Sequence, residues 1–321
     1  MAKHDYSFFG LSNEPANSLA EAGQIYGMDF EVEKCPLYYA DAKGNPTRIS
    51  PWDEQVVNVD KNRAPIGVVG IGYQIVRHLH AFDIAQPLID AGAHIVGGGC
   101  PNNGERAYLV LQTDQKLEIA PGDCIVNRYL LLNSYDGTGK IEVRFTPYRS
   151  TYGIAFTTNA NRPLAFKHTR NVAKRLTLTK RVFRGVNENW NQFSDSVKKM
   201  LAISLNQQQA TEFVEAVMPA TSDEPSTRLE NQRAEVMEIY HKTGIGTRMP
   251  QCRGTLFGLV QAFAEWADIH RTVRKSKKRD DIAAALDTRL VADSAKKKAK
   301  AFAVAVALTK LGNKTQGVFT K

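Results

Sequence analysis

The segment 143–187 holds ten Lys and Arg residues and not one Asp or Glu. Aromatic residues, among them Tyr148 and Tyr152, are interleaved with these cations. A soluble surface ordinarily mixes both signs, so a long segment of one sign favours binding to a polyanion. Lys and Arg would hold phosphates, while Tyr rings would stack on the bases of a single strand. The segment therefore predicts a nucleic-acid surface.

The pattern around residues 168–178 predicts an amphipathic helix with Val172 and Leu176 on its buried face and cations on the rest. We predict that the cations bind phosphates and that the two tyrosines stack on bases. The candidate nucleic-acid ligands are Arg144, Tyr148, Arg149, Tyr152, Arg162, Lys167, His168, Arg170, Lys174, Arg175, Lys180 and Arg181.

The positive charge is local. The chain carries a formal net charge of +9, and the segments 143–187 and 271–300 together carry +17, which leaves −8 on the other 246 residues. A basic stripe on an otherwise acidic protein is typical of phosphate binding. Alternatively, the two basic segments are amphipathic helices whose cationic outer faces bind no ligand.

A nucleotide cradle is not predicted. Gly97, Gly98 and Gly99 form a glycine-rich run, but Glu105 stands where a phosphate-binding loop needs Lys. A sharply turned hairpin is the preferred interpretation of these glycines. The seven histidines show no metal-binding spacing beyond the pair His78 and His80. We therefore predict no cofactor, no metal and no catalytic residue.

An α+β fold is expected, with an antiparallel β-meander sheet packed on helices and a mostly helical C-terminal half. Turn signals at 101–105 and 135–139 predict hairpins between successive strands. The predicted segments are an N-terminal arm or cap at 1–63, an α+β core with the basic groove at 64–185, and a helical region with a basic C-terminal segment at 186–321.

Signals at helix ends support the helical half. Thr227 and Glu230 have the spacing of a capping box, and Gly244 is placed to end the same helix. No targeting segment or membrane span is evident, and the four scattered cysteines predict free thiols. The expected location is the cytoplasm.

Several motifs occur in a characteristic order: 72–76 (GYQIV), 129–137 (YLLLNSYDG), 143–149 (VRFTPYR), 156–159 (FTTN), 166–169 (FKHT) and 254–257 (GTLF). This order resembles the phage- and plasmid-like family called domain of unknown function 932. The resemblance implies a phage or plasmid protein in a bacterial cytoplasm, without an established activity. The order of strands and helices also resembles the core of ring- or filament-forming single-strand annealing proteins of phages.

Our leading hypothesis is an ATP-independent protein that binds and anneals single-stranded DNA as a homo-oligomer, in recombination or replication. One alternative is a metal-dependent nucleic-acid enzyme that uses histidines and sheet aspartates. Another is a structural or adaptor protein that binds an acidic partner. The residues considered for the enzyme are His78, His80, His168, Asp83, Asp114, Asp123 and Asp136.

Overall fold

The computed structural model describes residues 10–158, 164–179, 186–222, 225–271 and 281–311. It confirms the α+β class, with antiparallel sheets followed by a mostly helical C-terminal half. The strands are β1 (Val32–Pro36), β2 (Tyr38–Ala40), β3 (Pro46–Arg48), β4 (Asp53–Asn58), β5 (Ala64–Gly70), β6 (His94–Gly99), β7 (Arg106–Ala120), β8 (Asp123–Ser134), β9 (Ile141–Phe145), β10 (Tyr148–Arg149), β11 (Ile154–Ala155) and β12 (Leu164–Phe166).

The main sheet has the order β11-β10-β8-β7-β6, with β9 paired to β8 and β12 paired to β9. Strands β7 and β8 form its centre. Tyr108 and Leu130 pack on one face of the sheet, while Leu109 and Leu131 pack on the other. Because successive side chains of a strand point to opposite faces, covering both faces requires the nearly continuous apolar run seen in these two strands.

The two predicted hairpins are confirmed, since β6 pairs with β7 and β8 pairs with β9, both antiparallel. The connection at 101–105 is a single helical turn in which Asn102, Asn103 and Gly104 have positive φ angles. Asn and Gly adopt this conformation more readily than other residues. At Gly104 a Cβ atom would also overlap the Phe30 ring, so the position requires glycine.

The N-terminal segment belongs to the same fold. Residues Ser12 and Ala16 bridge to Gly98 and Ile95 on β6, the edge strand of the main sheet. A three-stranded sheet has the order β1-β4-β5, and β2 and β3 form a separate ribbon. The boundary predicted between residues 63 and 64 falls in the turn between the paired strands β4 and β5. The first two predicted segments therefore share a sheet.

The helices are α1 (Leu19–Ile25), α2 (His78–Phe82), α3 (Gln86–Asp90), α4 (Pro101–Gly104), α5 (Val172–Thr179), α6 (Val186–Leu201), α7 (Gln207–Val217), α8 (Thr227–Glu238), α9 (Leu256–Glu265), α10 (Asp281–Leu286) and α11 (Asp293–Leu311). Helices α8, α9 and α10 each continue into a π-helical turn, at Ile239–Thr243, Trp266–His270 and Asp287–Val291. The N-cap of α8 is Ser226 and not Thr227, because the Ser226 hydroxyl accepts the Leu229 amide.

The largest core joins the sheet to the helical half. Ile125 and Ile154 from the strands, together with Phe156 just after β11, pack with Phe257 and Phe302 from the helices. A second core lies across the sheet, where α1, α2 and α5 cover β7 and β8. The predicted boundary at 185/186 therefore separates two stretches of chain that bury a common core.

Candidate nucleic-acid interface

Four exposed cations lie at residues 167–175 of the basic segment. We call these residues, Lys167, Arg170, Lys174 and Arg175, the α5 basic strip. Strand β12 pairs with β9, and the chain then turns into α5. The opposite face of that helix is anchored by Val172 and Leu176, both buried. An amphipathic helix held by its apolar residues directs its charged residues to solvent. The helix and its cationic face agree with the sequence-based prediction.

Three cations of the strip are available for a ligand. Lys167, Arg170 and Lys174 form no ion pair with any carboxylate in the described part of the chain. The Arg175 guanidinium lies 5.4 Å from the centre of the Phe166 ring, where the ring face favours the charge. Arg144 differs, because its Nε donates to Glu142 at 2.7 Å and its Nη1 donates to the Leu290 carbonyl at 3.1 Å. The Arg144 guanidinium is therefore engaged by partners within the protein.

A concave pocket of about 310 Å³ lies between α2 and α5, beside the strip. Its polar lining includes Arg77, His80, Asp83 and Thr177. Arg77 also contacts Asp29, at 3.3 Å. The surface next to the strip is thus indented and mixed in charge, unlike the strip itself.

The prediction that Tyr148 and Arg149 bind nucleic acid is wrong, because both side chains are buried. Tyr148 is 2% exposed and packs beneath the Arg128 guanidinium, 4.2 Å from the ring centre. Arg149 is fully buried, and its Nε donates to both carboxylate oxygens of Asp123 at 2.9 and 3.0 Å. The reason is that helices cover both faces of β10: α10 and its π-helical turn pack on the Tyr148 side, and α9 lies on the Arg149 side. Tyr152 is partly exposed, with the Arg149 guanidinium 5.1 Å from its ring centre.

His168 is also buried and cannot bind a phosphate from the surface. Its Nδ1 donates to the Gln74 carbonyl at 3.0 Å, and its ring stacks on Tyr73 with centres 4.6 Å apart. Burial lowers the pKa of His168 below its ordinary value, so the neutral ring is favoured. This histidine holds the start of the α5 basic strip against the segment before α2. Three other candidates, Arg162, Lys180 and Arg181, lie outside the described residues.

In the described part of the second basic segment, residues 271 and 281–300, several cations are paired within the protein. Arg271 pairs with Asp293 at 2.6 Å and donates to the Ser294 hydroxyl. Lys298 is buried against Asp268. Helix α11 packs against the other helices, and two of its cations serve internal pairs. Sequence counting cannot separate such cations from free ones.

Residues from separate motifs meet in one buried network, a convergence that the sequence did not predict. The Tyr73 hydroxyl donates to the Ser134 carbonyl at 2.7 Å. His78 stacks on Tyr135 with ring centres 3.9 Å apart. The His78 Nδ1 accepts from the Asn133 amide at 2.9 Å, and its Nε2 donates to the Gly104 carbonyl at 3.2 Å. The order of the motifs along the chain was the only sequence signal for this network. It could not show which residues meet, because those contacts depend on the fold.

His78 should make the protein sensitive to acid. Burial lowers the pKa of His78 to about 3, against about 6.5 in an unfolded chain. Between these values the unfolded chain binds a proton that the folded chain excludes, so stability falls as the pH falls. Between pH 6.5 and pH 5, the unfolding free energy of the His78→Gln variant should therefore fall by about 1 to 2 kcal/mol less than that of the wild type.

Urea denaturation at several pH values measures this dependence. The control is the change of His80 to Gln, since His80 is exposed on the same helix. An equal pH dependence in the wild type and in His78→Gln would contradict the prediction.

A pocket of about 350 Å³ adjoins the network, between the sheet and the π-helical turn at Asp287–Val291. Arg106, Tyr108, Ser134 and Lys140 are among its lining residues. The Ser134 hydroxyl is buried and has no hydrogen-bond partner among the described residues. A nucleophilic serine needs an adjacent base, which this hydroxyl lacks here.

The residues considered for a metal-dependent enzyme are dispersed. Asp123 pairs with Arg149, Asp136 pairs with Arg106 at 3.0 Å, and Asp114 lies 3.6 Å from His94. Across the part of the chain that the structure describes, no three His, Cys, Asp or Glu side chains are grouped as metal ligands are. Within the same residues, no helix is both long enough and apolar enough to cross a bilayer.

Comparison with curated proteins and with solved structures gave no match. A family model, domain of unknown function 932, matches residues 65–290. The match includes the strands β6 to β12, the buried network and the α5 basic strip. Because it spans well over half of the chain, the protein belongs to the family of domain of unknown function 932.

Proposed function

We propose that the protein binds single-stranded nucleic acid, with DNA as the favoured ligand, through the α5 basic strip. It would act without ATP, as a homo-oligomer that lines up strands for annealing. Its place would be phage or plasmid recombination or replication in the cytoplasm of a bacterial host. The observation that carries this proposal is the row of exposed cations at 167–175.

The spacing of the strip suits a polyanion. Lys167 and Arg170 precede α5, and Lys174 and Arg175 lie in its first turn, so the four cations fall within nine residues of chain. Three of the four cations have no carboxylate partner among the described residues. Binding phosphates would therefore break no ion pair of those three and would release counterions from the nucleic acid.

The glycine run also supports action without a nucleotide. Gly97, Gly98 and Gly99 lie in strand β6, paired with β7, and not in a loop that could surround a phosphate. A Cβ atom at Gly98 would overlap the Tyr26 ring and the Tyr108 carbonyl. Close packing at the end of β6, within the hairpin that β6 forms with β7, accounts for this glycine.

Binding of a labelled single-stranded oligonucleotide should weaken steeply with salt. The expected log-log slope is about −0.7 for each phosphate contacted. The variant Arg170→Glu/Lys174→Glu should lose about two contacts, which makes the slope shallower by about 1.4 and lowers the affinity at least about tenfold at low salt. Fluorescence anisotropy over a salt series measures both quantities.

The matched control is Lys198→Glu/Lys242→Glu, which changes the charge equally at two exposed helical positions away from the strip. It should keep most of the affinity. Equal loss in both variants would show a general charge effect and would contradict the assignment of the strip. Acceleration of pairing between complementary oligonucleotides, without ATP, then tests annealing separately. A protein that binds but does not accelerate pairing is not an annealing protein.

A further inference from the structure

The exposed aromatic rings are concentrated at the β2–β3 ribbon and the loop that follows it. Tyr38, Tyr39 and Trp52 are 56, 52 and 70% exposed. Every other aromatic side chain whose burial the structure describes is buried or partly buried. Soluble proteins seldom expose large rings together unless a partner covers them. We call these three residues the aromatic ribbon.

Both faces of the ribbon are open. Tyr38 pairs with Arg48 and Tyr39 pairs with Thr47 across the two antiparallel strands. Neighbouring residues of a strand point to opposite faces, so the two tyrosines lie on opposite sides of the ribbon. Both are exposed because β2 and β3 form a sheet of only two strands.

The tip of the ribbon is fixed by Asp41. Its carboxylate accepts the backbone amides of Lys43 and Asn45, both at 2.8 Å. These hydrogen bonds satisfy the one negative charge of the tip and order the turn. The rings are thus presented on an ordered support, which reduces the entropy lost when a ligand binds.

Cations accompany the rings. Arg48 is directly opposite Tyr38, so both side chains lie on the same face of the ribbon. Arg48 and Lys43 form no ion pair with any carboxylate of the described residues. The Arg48 Nε donates to the Ser50 carbonyl at 3.1 Å, which holds the guanidinium near the ring, where the two can contact a base and its phosphate together.

We propose that bases of the single strand stack on Tyr38, Tyr39 and Trp52, an inference that rests on the proposed function. A flexible strand can contact both faces of a narrow ribbon, whereas a protein partner with one flat surface would cover only one. The cations favour the same ligand. This assignment moves the stacking surface from the predicted Tyr148 and Tyr152 to a region outside the family match.

The fluorescence of Trp52 can report this contact directly. The other two tryptophans, Trp190 and Trp266, are 5 and 0% exposed, so a soluble ligand can reach Trp52 alone. Titration with a single-stranded oligonucleotide should quench the tryptophan emission. An abasic strand of equal length and charge should bind through its phosphates and leave the emission nearly unchanged.

Replacing all three rings by Ala should weaken binding of the base-containing strand at least about fivefold for each lost stack. The salt slope should stay the same, since stacking and counterion release are separate contributions. Binding of the abasic strand should not change. A variant with Phe at all three positions should bind as the wild type does. The control Ile49→Ala/Ile71→Ala removes exposed apolar side chains and no ring.

Other results overturn the proposal in distinguishable ways. If the oligonucleotide binds with a steep salt slope, yet the Ala variant binds equally well and the emission is constant, stacking is wrong and the proposed function stands. If neither strand binds, both are wrong. If the Ala variant changes only the mass measured by light scattering, the ribbon joins copies of the chain and not bases.

Discussion

Replacement of Arg149 by Met should destabilise the protein by about 3 to 5 kcal/mol. Both Arg149 and its partner Asp123 are buried, at 0 and 5% exposure. The guanidinium also donates to the Gln261 side chain from α9, so it connects the sheet to the helical half. Its removal leaves a carboxylate in the interior without a counter-charge, which costs far more than the loss of a surface ion pair.

Urea denaturation of the variant provides the measurement. Arg144→Met is the matched control, because Arg144 is partly exposed and pairs with the partly exposed Glu142; its cost should be about 1 kcal/mol or less. The double variant Arg149→Met/Asp123→Asn should recover part of the lost stability, since it removes the unpaired charge. Equal costs for Arg149→Met and Arg144→Met would contradict a buried structural role for Arg149.

Replacement of Lys298 by Met should have a similar effect, about 3 to 5 kcal/mol at neutral pH. The Lys298 Nζ donates to Asp268 at 2.7 Å and to the Ala155 carbonyl at 3.0 Å. The other Asp268 oxygen accepts the Ala155 amide at 2.9 Å. This pair therefore fastens strand β11 to the helical half. Without the ammonium group, the buried Asp268 carboxylate keeps only the weaker interaction with the Arg289 guanidinium.

The cost of Lys298→Met should depend on pH. Burial already raises the pKa of Asp268, and loss of the neighbouring positive charge raises it further. A carboxyl group whose pKa is higher in the folded chain binds protons on folding, so the variant gains relative stability as the pH falls. The difference in unfolding free energy between wild type and variant should narrow from pH 7 to pH 5. Lys297→Met, at a half-buried neighbour, should lack this dependence.

Local patterns predicted most of the secondary structure. The apolar runs of β7 and β8, the hairpin signals between strands and the spacing of Val172 and Leu176 all led to the observed elements. The α8 cap was misplaced by one residue, because Ser226 and Thr227 are both good N-cap residues and only the backbone geometry separates them.

The candidate site was predicted less well because exposure depends on distant partners. Arg149 and Arg170 belong to the same acid-free segment, yet one is buried against Asp123, 26 residues before it, and the other faces solvent. The absence of acidic residues nearby says nothing about a carboxylate contributed by another strand. The exposed rings of the β2–β3 ribbon were missed for the same reason, since nothing local shows that this ribbon lacks a covering layer.

The pairing of the N-terminal segment with β6 has a consequence for assembly. An unpaired edge strand offers free amides and carbonyls to a second molecule. Here Ser12 exchanges hydrogen bonds with Gly98, at 2.9 and 3.1 Å, so the chain already occupies that edge itself. A second molecule could not add a strand there unless residues 12–16 first withdrew. Residues 12–16 would then control whether a second sheet can join this edge.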